Sequence, residues 1–302
     1  MHGWIILDKP LGLGSTQGVS AVKRALRESG CPKMKVGHGG TLDPLATGVL
    51  PIAVGEATKF AGRMLDSDKV YDFTIRFGEQ TDTLDREGVV VATSDVLPTL
   101  AAVEAVLPRF TGPIEQAPPI YSAIKVDGKR AYDLARAGEE VAMKLRAVTV
   151  YGLSVSSPQE ASISPAAPLT EVTLTAHVSK GTYIRSLARD IALALETVGH
   201  VIMLRRLKAG PFTLDHAISL DNLSHAAKER AIARLMLPLT VGLDDIPALS
   251  VTSEQALMLR QGKVLPGDPR KQGLMLATEG DMPVALVEAL GLEIRVVRGL
   301  NL

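Results

Sequence analysis

Apolar and polar positions alternate in several stretches of this 302-residue chain, and two periods divide it into elements. Between residues 70 and 77, Tyr71, Phe73, Ile75 and Phe77 share one face. Asp72, Thr74 and Arg76 share the other, which is the period-2 signature of a half-buried strand. Residues 169–179 repeat it, with Val172, Leu174, Ala176 and Val178 opposing Glu171, Thr173, Thr175 and His177. The runs 4–7, 49–54 and 201–207 read as buried strands, the second with Pro51 inside it, which argues against regular pairing there. The period then lengthens: Ile184, Leu187, Ile191, Leu195 and Val198 predict a helix that Gly199 ends. Shorter helices are expected over 20–29, 56–65 and 100–107, the last entered through Pro98-Thr99 and stopped by Pro108. Residues 141–155 are rich in strand formers, and 156–168, rich in Ser, Ala and Pro, reads as an exposed loop.

Strands in clusters with helices between them, several of the strands two-faced, predict an α+β fold. Its central sheet is mixed but mostly antiparallel and flanked by helices, rather than doubly wound and parallel. A boundary is expected near 242–247. Beyond it, Ser253 caps a helix over 254–261 closed by Gly262, and short strands follow near 274–276, 284–287 and 294–297. The chain is thus expected to divide into a large domain, 1–245, and a small β-rich module, 246–302.

Composition narrows the class. An apolar content of 46% supplies an ample core. No apolar run is long enough to span a bilayer, and no signal-peptide pattern opens the chain. Cys31 is the single cysteine, so no internal disulfide forms, and a reduced, cytoplasmic setting is expected. No Cys/His spacing suggests zinc, and no P-loop or dinucleotide fingerprint is present. Net charge is zero, but its distribution is uneven. Residues 9–63 carry eight basic and three acidic side chains, 66–104 carry three and nine, and 180–208 carry six and two. Such blocks can build a one-sided positive surface without a high isoelectric point; ordinary solvated charge accounts for them equally well.

The candidate chemistry centres on Gly37-His38-Gly39-Gly40-Thr41-Leu42-Asp43-Pro44-Leu45-Ala46-Thr47-Gly48. Glycine loses more backbone freedom on folding than any other residue, so four of them around one carboxylate, Asp43, need a geometric reason. Pro44 holds Asp43 out of helical geometry. A lone turn aspartate satisfying local amides would show the same pattern. A second constellation, Ser179-Lys180-Gly181-Thr182-Tyr183-Ile184-Arg185, shifts the balance. It places Arg185 in the first turn of a helix expected to start near Thr182, where the dipole disfavours a cation by a few tenths of a kcal/mol up to about 1. An anionic partner removes that conflict, and Asp43 is the candidate. Arg189, one turn on, reads as exposed. Tyr71 is either a core tyrosine or a platform for a flipped base. The acids and hydroxyls of Gln80-Thr81-Asp82-Thr83-Leu84-Asp85 form an ordinary turn on their own. The aromatics among lysines and arginines between Gln116 and Tyr132 suit phosphates and bases, or simply a basic strand face.

Together these residues resemble the bacterial TruB family, the tRNA pseudouridine-55 synthases. The resemblance is carried by GHGGTLDPLATGVLPIAVGEATK and SKGTYIRSLARD and, in the family's order, by 3–10, 37–59, 69–88, 116–138, 179–190 and 200–212. The C-terminal part resembles a PUA-like RNA-binding module more loosely. The resemblance implies a pseudouridine synthase fold and no cofactor or metal. It implies that Asp43 is the catalytic aspartate, Arg185 its ion-pair partner and Tyr71 the stack for the target uracil. His38 would insert into the tRNA T-loop as uridine 55 turns out, and Asp82 would support the flipped nucleotides. Tyr183 and Leu204 would line the pocket, and Lys9, grouped with the substrate-side residues, belongs with Pro10 to a motif packing behind the site. The implied partner is the tRNA T-arm stem-loop, taken by a monomer without guide RNA or membrane.

Three rival readings remain. A non-catalytic tRNA-binding or tRNA-folding protein would use the basic segments alone. A metal-dependent hydrolase would gather His38, Asp43, Asp82 and Asp85. A guide-RNA-dependent rRNA pseudouridine synthase is the sister reading, against which the bacterial-type pattern argues.

Overall fold

The computed structural model describes residues 1–122, 124–126, 128–138, 143–156 and 166–302. The expected loop at 156–168 therefore lies mostly outside the described residues, as do parts of the basic-aromatic run and of 141–155. In chain order the first elements are β1 (Gly3–Lys9), α1 (Ser15–Glu28), β2 (Val36–His38) and β3 (Ala46–Val54), then α2 (Ala61–Asp66) behind a 3-10 turn at Gly55–Phe60. β4 (Lys69–Phe77), β5 (Glu79–Thr81), β6 (Val90–Thr93), α3 (Leu100–Val106) and β7 (Gly112–Gln116) follow. A small hairpin, β8 (Lys125–Val126) and β9 (Lys129–Arg130), leads into α4 (Ala131–Arg136). Next come β10 (Arg146–Val155), β11 (Glu171–Val178), α5 (Ile184–Ala194), β12 (Gly199–Ala209), β13 (Phe212–Thr213), α6 (Leu220–Lys228) and β14 (Leu237–Pro238).

Ten of these strands form one sheet in the order β14-β1-β3-β12-β4-β11-β10-β7, with β2 on β3 and β13 on β12. All pairings in it are antiparallel except β3 with β12, so the sheet is mixed and mostly antiparallel, as the two-faced strands predict. The apolar face of β4 and β11 packs on α3 and α5, joining Phe73, Ile75, Leu174, Leu187 and Ile191 in one core. On the other half, Ile5, Leu7, Leu50 and Ile52 pack with Val22 and Leu26 of α1 and Leu223 of α6.

Several boundaries differ from the sequence reading for local reasons. Pro51 sits within a fully paired strand, since β1 matches β3 from Gly3↔Val54 to Lys9↔Gly48. Its absent N–H falls on the opposite edge, where its carbonyl accepts from Gly39 N at 2.8 Å. α1 starts at Ser15, five residues early, because Gly14 N donates to Gln17 Oε1 at 2.7 Å and closes the first turn. α5 ends at Ala194 rather than at Gly199. Glu196 takes the left-handed conformation, φ 58°, and Gly199 opens β12 instead. The 100–107 helix runs past Pro108 as a 3-10 turn, Leu107–Phe110, with proline early in the turn where its missing N–H is not needed.

The C-terminal part comprises β15 (Ala248–Ser250), α7 (Ser253–Arg260), β16 (Leu265–Pro266), β17 (Gly273–Glu279), β18 (Met282–Leu290) and β19 (Glu293–Gly299). They form a five-stranded sheet, and the cap of α7 is Thr252, whose hydroxyl accepts from Gln255 N, not Ser253. This part has its own core around Leu259, Val284 and Val287. It is also tied to the large sheet, because Leu276, Leu286 and Leu300 share a cluster with Trp4, Phe212, Leu239 and Leu243. Lys59 Nζ donates to Gly299 O at 2.8 Å, and Asn301 N donates to Glu56 Oε2 at 2.8 Å.

Candidate active site

The loop ahead of β3 is suspended on buried side chains. Arg206 of β12, 1% exposed, donates Nε to Val49 O at 2.7 Å and its two terminal nitrogens to Gly40 O and Thr41 O at 3.2 and 3.4 Å. The Ser15 hydroxyl and the backbone of Leu42 are 2.8 Å apart at both N and O. Lys9, fully buried, donates to the carbonyls of Pro10, Leu13 and Pro44 at 3.1, 2.6 and 3.1 Å. The glycines fit this frame. Gly48 has φ +97°, and a Cβ there would lie 2.2 Å from Arg206 O. Gly40 has φ +141° against the Arg206 guanidinium. Gly37 has neither a positive φ nor a close neighbour.

Held this way, Asp43 points to the start of α5. Arg185, buried in the first turn with no acidic residue there, places Nη2 at 2.9 Å from Asp43 Oδ2. The pair is not bidentate. Nη1 turns away to Asp85 Oδ2 at 3.1 Å and Thr83 O at 2.9 Å, and Nη2 also donates to Tyr121 O at 3.2 Å. One guanidinium thus joins the glycine loop, the turn after β5 and the segment after β7. Asp43 is the accessible member: its side chain is 46% exposed, against 9% for Arg185 and 11% for Asp85. The helix start is fixed from below. Tyr183, its N-cap, donates its N–H to Gln116 Oε1 at 2.8 Å, and the Ser186 hydroxyl donates to Ala117 O at 2.8 Å. Arg189, expected in solvent, is half-buried, donating to Asp190 and to Ala117 O.

Two clefts meet at this pair. One, about 330 Å³, is lined by Asp43, Tyr71, Tyr183, Leu204 and Arg185 among others. The register of the sheet explains the grouping. Leu204 of β12 pairs with Ala46 on one side and Phe73 on the other, and Arg206 pairs with Tyr71, so the loop before β3 opens beside the Tyr71 ring. Burial pushes the Tyr183 phenol up. The other cleft, about 520 Å³, is lined by Asp43, Asp82, Asp85, Glu87, Tyr121 and Arg185.

The remaining expected residues fall elsewhere. Lys9 touches neither cleft, and it is a brace behind the loop rather than a substrate contact, because its three protons are already placed on carbonyls. Burial holds its pKa down at about 8. His38 lies on β2 opposite Ile52, outside the first cleft, with Nδ1 buried and without a partner; burial and the Arg206 charge lower its pKa, which keeps the ring neutral at neutral pH. Asp82 lines the second cleft and accepts from Val89 N at 3.0 Å. His38, Asp43, Asp82 and Asp85 do not assemble as ligands: among the described residues no group of three such side chains could hold a metal. The same residues include no helix long and apolar enough to cross a membrane.

Sequence reasoning reads Asp85 as part of an ordinary turn or as one of four metal ligands, never as a partner of Arg185, and no local signal points to that pairing. Lys69 and Arg206 did carry a signal. Lys69 shares the apolar face of β4 with Tyr71 and Phe73, and Arg206 shares the face of Leu204, so period 2 puts each cation where an apolar residue is expected.

Two family models match consecutive stretches of the chain. Residues 23–184 match the TruB family pseudouridylate synthase N-terminal domain, and 185–244 match the tRNA pseudouridylate synthase B C-terminal domain. The chain is 61% identical to a protein of Novosphingobium aromaticivorans named tRNA pseudouridine synthase B, over 100% of this chain and 98% of that one. It is 58% identical to the protein of the same name from Zymomonas mobilis, over 100% and 96%. Among solved structures it resembles one described as "Structure of H/ACA RNP bound to a substrate RNA containing 2'-deoxyuridine". The TM-score is 0.73 at 25% identity, covering 99% of this chain and 85% of that one.

Proposed function

The chain belongs to the TruB family of pseudouridylate synthases, and from that premise we propose that it converts uridine 55 in the T-loop of tRNA to pseudouridine with Asp43 as the reacting carboxylate. The observation that carries this reading is the accessible Asp43 carboxylate, 2.9 Å from a buried guanidinium, at the mouth of a cleft that also holds Tyr71.

The reaction breaks the N1–C1′ bond, turns the uracil and joins C5 to C1′. It needs no redox change and no energy source. The base is unreachable while stacked, so the nucleotide must first be extruded, at a cost of a few kcal/mol that stacking on Tyr71 offsets. His38, on the strand that leads into the loop, is suited to fill the vacated space as a neutral ring. Asp43 then attacks C1′ or uracil C6, or takes a ribose proton in an elimination. In each route Arg185 fixes which carboxylate oxygen faces the substrate, and Asp85 and the carbonyls of Thr83 and Tyr121 fix Arg185. The proton leaving C5 passes to Tyr71 or to water beside it.

Residues 1–245 form the catalytic part in this reading, and 246–302 a PUA-like module. Its exposed cations, Lys263, Lys271 and Arg298 together with the carboxylate-paired Arg260, Arg270 and Arg295, suit contact with RNA phosphates. The enzyme acts as a cytoplasmic monomer on tRNA without a guide RNA. The experiment is a base-resolution map of pseudouridine in cellular tRNA with and without the protein. Loss confined to position 55 is expected, and an unchanged map contradicts the assignment.

A further inference from the structure

The two clefts beside Asp43 differ in sign. The described residues lining the Tyr71 side include three cations, Lys69, Arg185 and Arg206, against one carboxylate, Asp43. Those lining the other side include four carboxylates, Asp43, Asp82, Asp85 and Glu87, against Arg185 alone. Arg185 is accounted for by its two aspartates. Lys69 and Arg206 are not.

Lys69 is 7% exposed and Arg206 1%. Among the described residues neither makes an ion pair with a carboxylate. Lys69 Nζ donates to Met64 O and Leu65 O at 2.8 Å and to Ser67 O, which uses all three protons. Arg206 spends its donors on the loop carbonyls named above. Burying two cations with no carboxylate in direct contact is costly, and the charges of Asp68 and Asp66 near Lys69 do not outweigh that cost. They also repel each other: burial, and next the Arg206 charge, bring Lys69 down to about 8. Both lie close to the Tyr71 ring, Lys69 two residues before it on the same strand face and Arg206 in register with it on the neighbouring strand.

We propose that Lys69 and Arg206 form a cationic wall that stabilises the negative charge uracil acquires while it is detached from, or activated on, the ribose. The proposal rests on the reading of the site given under Proposed function, and it holds for each route open to Asp43. Displacement at C1′ and elimination both break C1′–N1 with the electron pair left on uracil. Addition at C6 moves the C5–C6 π pair toward O4 as an enolate. The base is neutral at the start, anionic in between, and neutral again once C5 bonds C1′ and the C5 proton is replaced by one on N1. A fixed, buried charge in the cavity wall stabilises such an anion without reorganising. With its protons already placed on carbonyls, Lys69 acts through charge and not as a hydrogen-bond donor to the base.

The test compares single-turnover rate constants for breakage of the N1–C1′ bond on T-arm stem-loops carrying uridine or 5-fluorouridine at the target position; this bond is the readout because 5-fluorouridine has no C5 proton to lose and so does not complete the isomerisation. Fluorine makes the detached base a more stable anion and so lessens the need for the wall. Lys69→Gln is expected to slow the uridine substrate about tenfold, with stem-loop affinity unchanged, and the 5-fluorouridine substrate by less than about threefold. Lys69→Arg is expected to recover most of the loss. An unimpaired Lys69→Gln, an equal loss on both substrates, or a Lys69→Arg no faster than Lys69→Gln overturns the proposal. Lys69→Met, which leaves the Arg206 bonds to the Asp43 loop untouched, is compared on the same two substrates should Lys69→Gln fail to fold; equal losses there overturn it too. Asp43→Asn separates the two levels of the account. Wild-type turnover by that variant sinks the reading of Asp43 as the reacting carboxylate, whereas an inactive Asp43→Asn beside an unimpaired Lys69→Gln sinks the cationic wall alone.

Discussion

Asp43 and Asp85, 42 positions apart in the chain, share one guanidinium: Arg185 Nη2 lies 2.9 Å from Asp43 Oδ2 as an ion pair, and Nη1 donates to Asp85 Oδ2 at 3.1 Å. The two carboxylates differ in access. Asp85 is enclosed and Asp43 opens to the cleft, so the same cation is anchored on one side and aims the reacting group on the other.

Replacing Arg185 with Lys keeps the charge but removes the fork. A single ammonium cannot reach Asp43, Asp85 and two carbonyls in the same geometry. Activity is expected to fall about 100-fold, in kcat rather than in tRNA affinity, measured by single-turnover kinetics and filter binding. Wild-type kcat in Arg185→Lys contradicts the arrangement.

Asp85→Asn tests the anchored side. It leaves a hydrogen-bond acceptor but removes the charge, and Arg185 is then free to shift toward Asp43. About a tenfold loss in kcat is expected with little change in thermal stability. Asp85→Ala is expected to lower stability as well, by about 1–3 kcal/mol in denaturant titrations, because buried donors of Arg185 are left unpaired.

Asp85 also shows where legibility ends. The glycine loop and the first-turn arginine pointed to Asp43 and Arg185, because each breaks a local rule that only a partner repairs. Asp85 breaks none: its turn is ordinary, and only the folded sheet brings it to Arg185. Lys69 and Arg206 were readable as cations on apolar faces, but the sequence does not say what surrounds them. The strands were legible because their alternation is set by burial on one face. The end of α5 was not, because Glu196 takes the left-handed turn usually left to glycine, with Gly199 available three residues later for β12.

Gly48→Ala is a backbone test of the loop. The position has φ +97°, and the added carbon would meet Arg206 O at 2.2 Å. A loss of at least about 2 kcal/mol is expected in thermal or denaturant unfolding. A stable, active Gly48→Ala contradicts the close approach of β12 to this strand.

The buried lysines predict opposite pH trends for stability and rate. Burial lowers Lys9 and Lys69 from 10.5 to about 8. Between about pH 8 and 10.5 the unfolded chain holds protons on both that the folded chain has released. Their contribution to stability therefore rises with pH across that window, and the cost of carrying the buried ammoniums is largest below it. Activity is expected to fall over the same window, because the brace on Pro44 O and the charge beside Tyr71 are both discharged. Denaturant titrations and kcat profiles from pH 7 to 10 check the pair of trends, and Lys9→Met is expected to reduce the stability slope.

Leu286→Ala tests how the C-terminal part is joined. Leu286 is buried in the cluster shared with Trp4, Phe212 and Leu243. A loss of about 2–5 kcal/mol is expected, in a single transition that also lowers activity. Loss confined to a separate, low-temperature transition of the C-terminal part contradicts the shared core.

The most direct measurement is pseudouridine formation by Asp43→Asn on a full-length tRNA transcript, in single turnover, with binding measured in parallel. The substitution keeps the shape of the side chain and its position near Arg185 and removes the reacting carboxylate. The expected result is no pseudouridine at position 55 with tRNA affinity retained. Conversion at the wild-type rate contradicts the account.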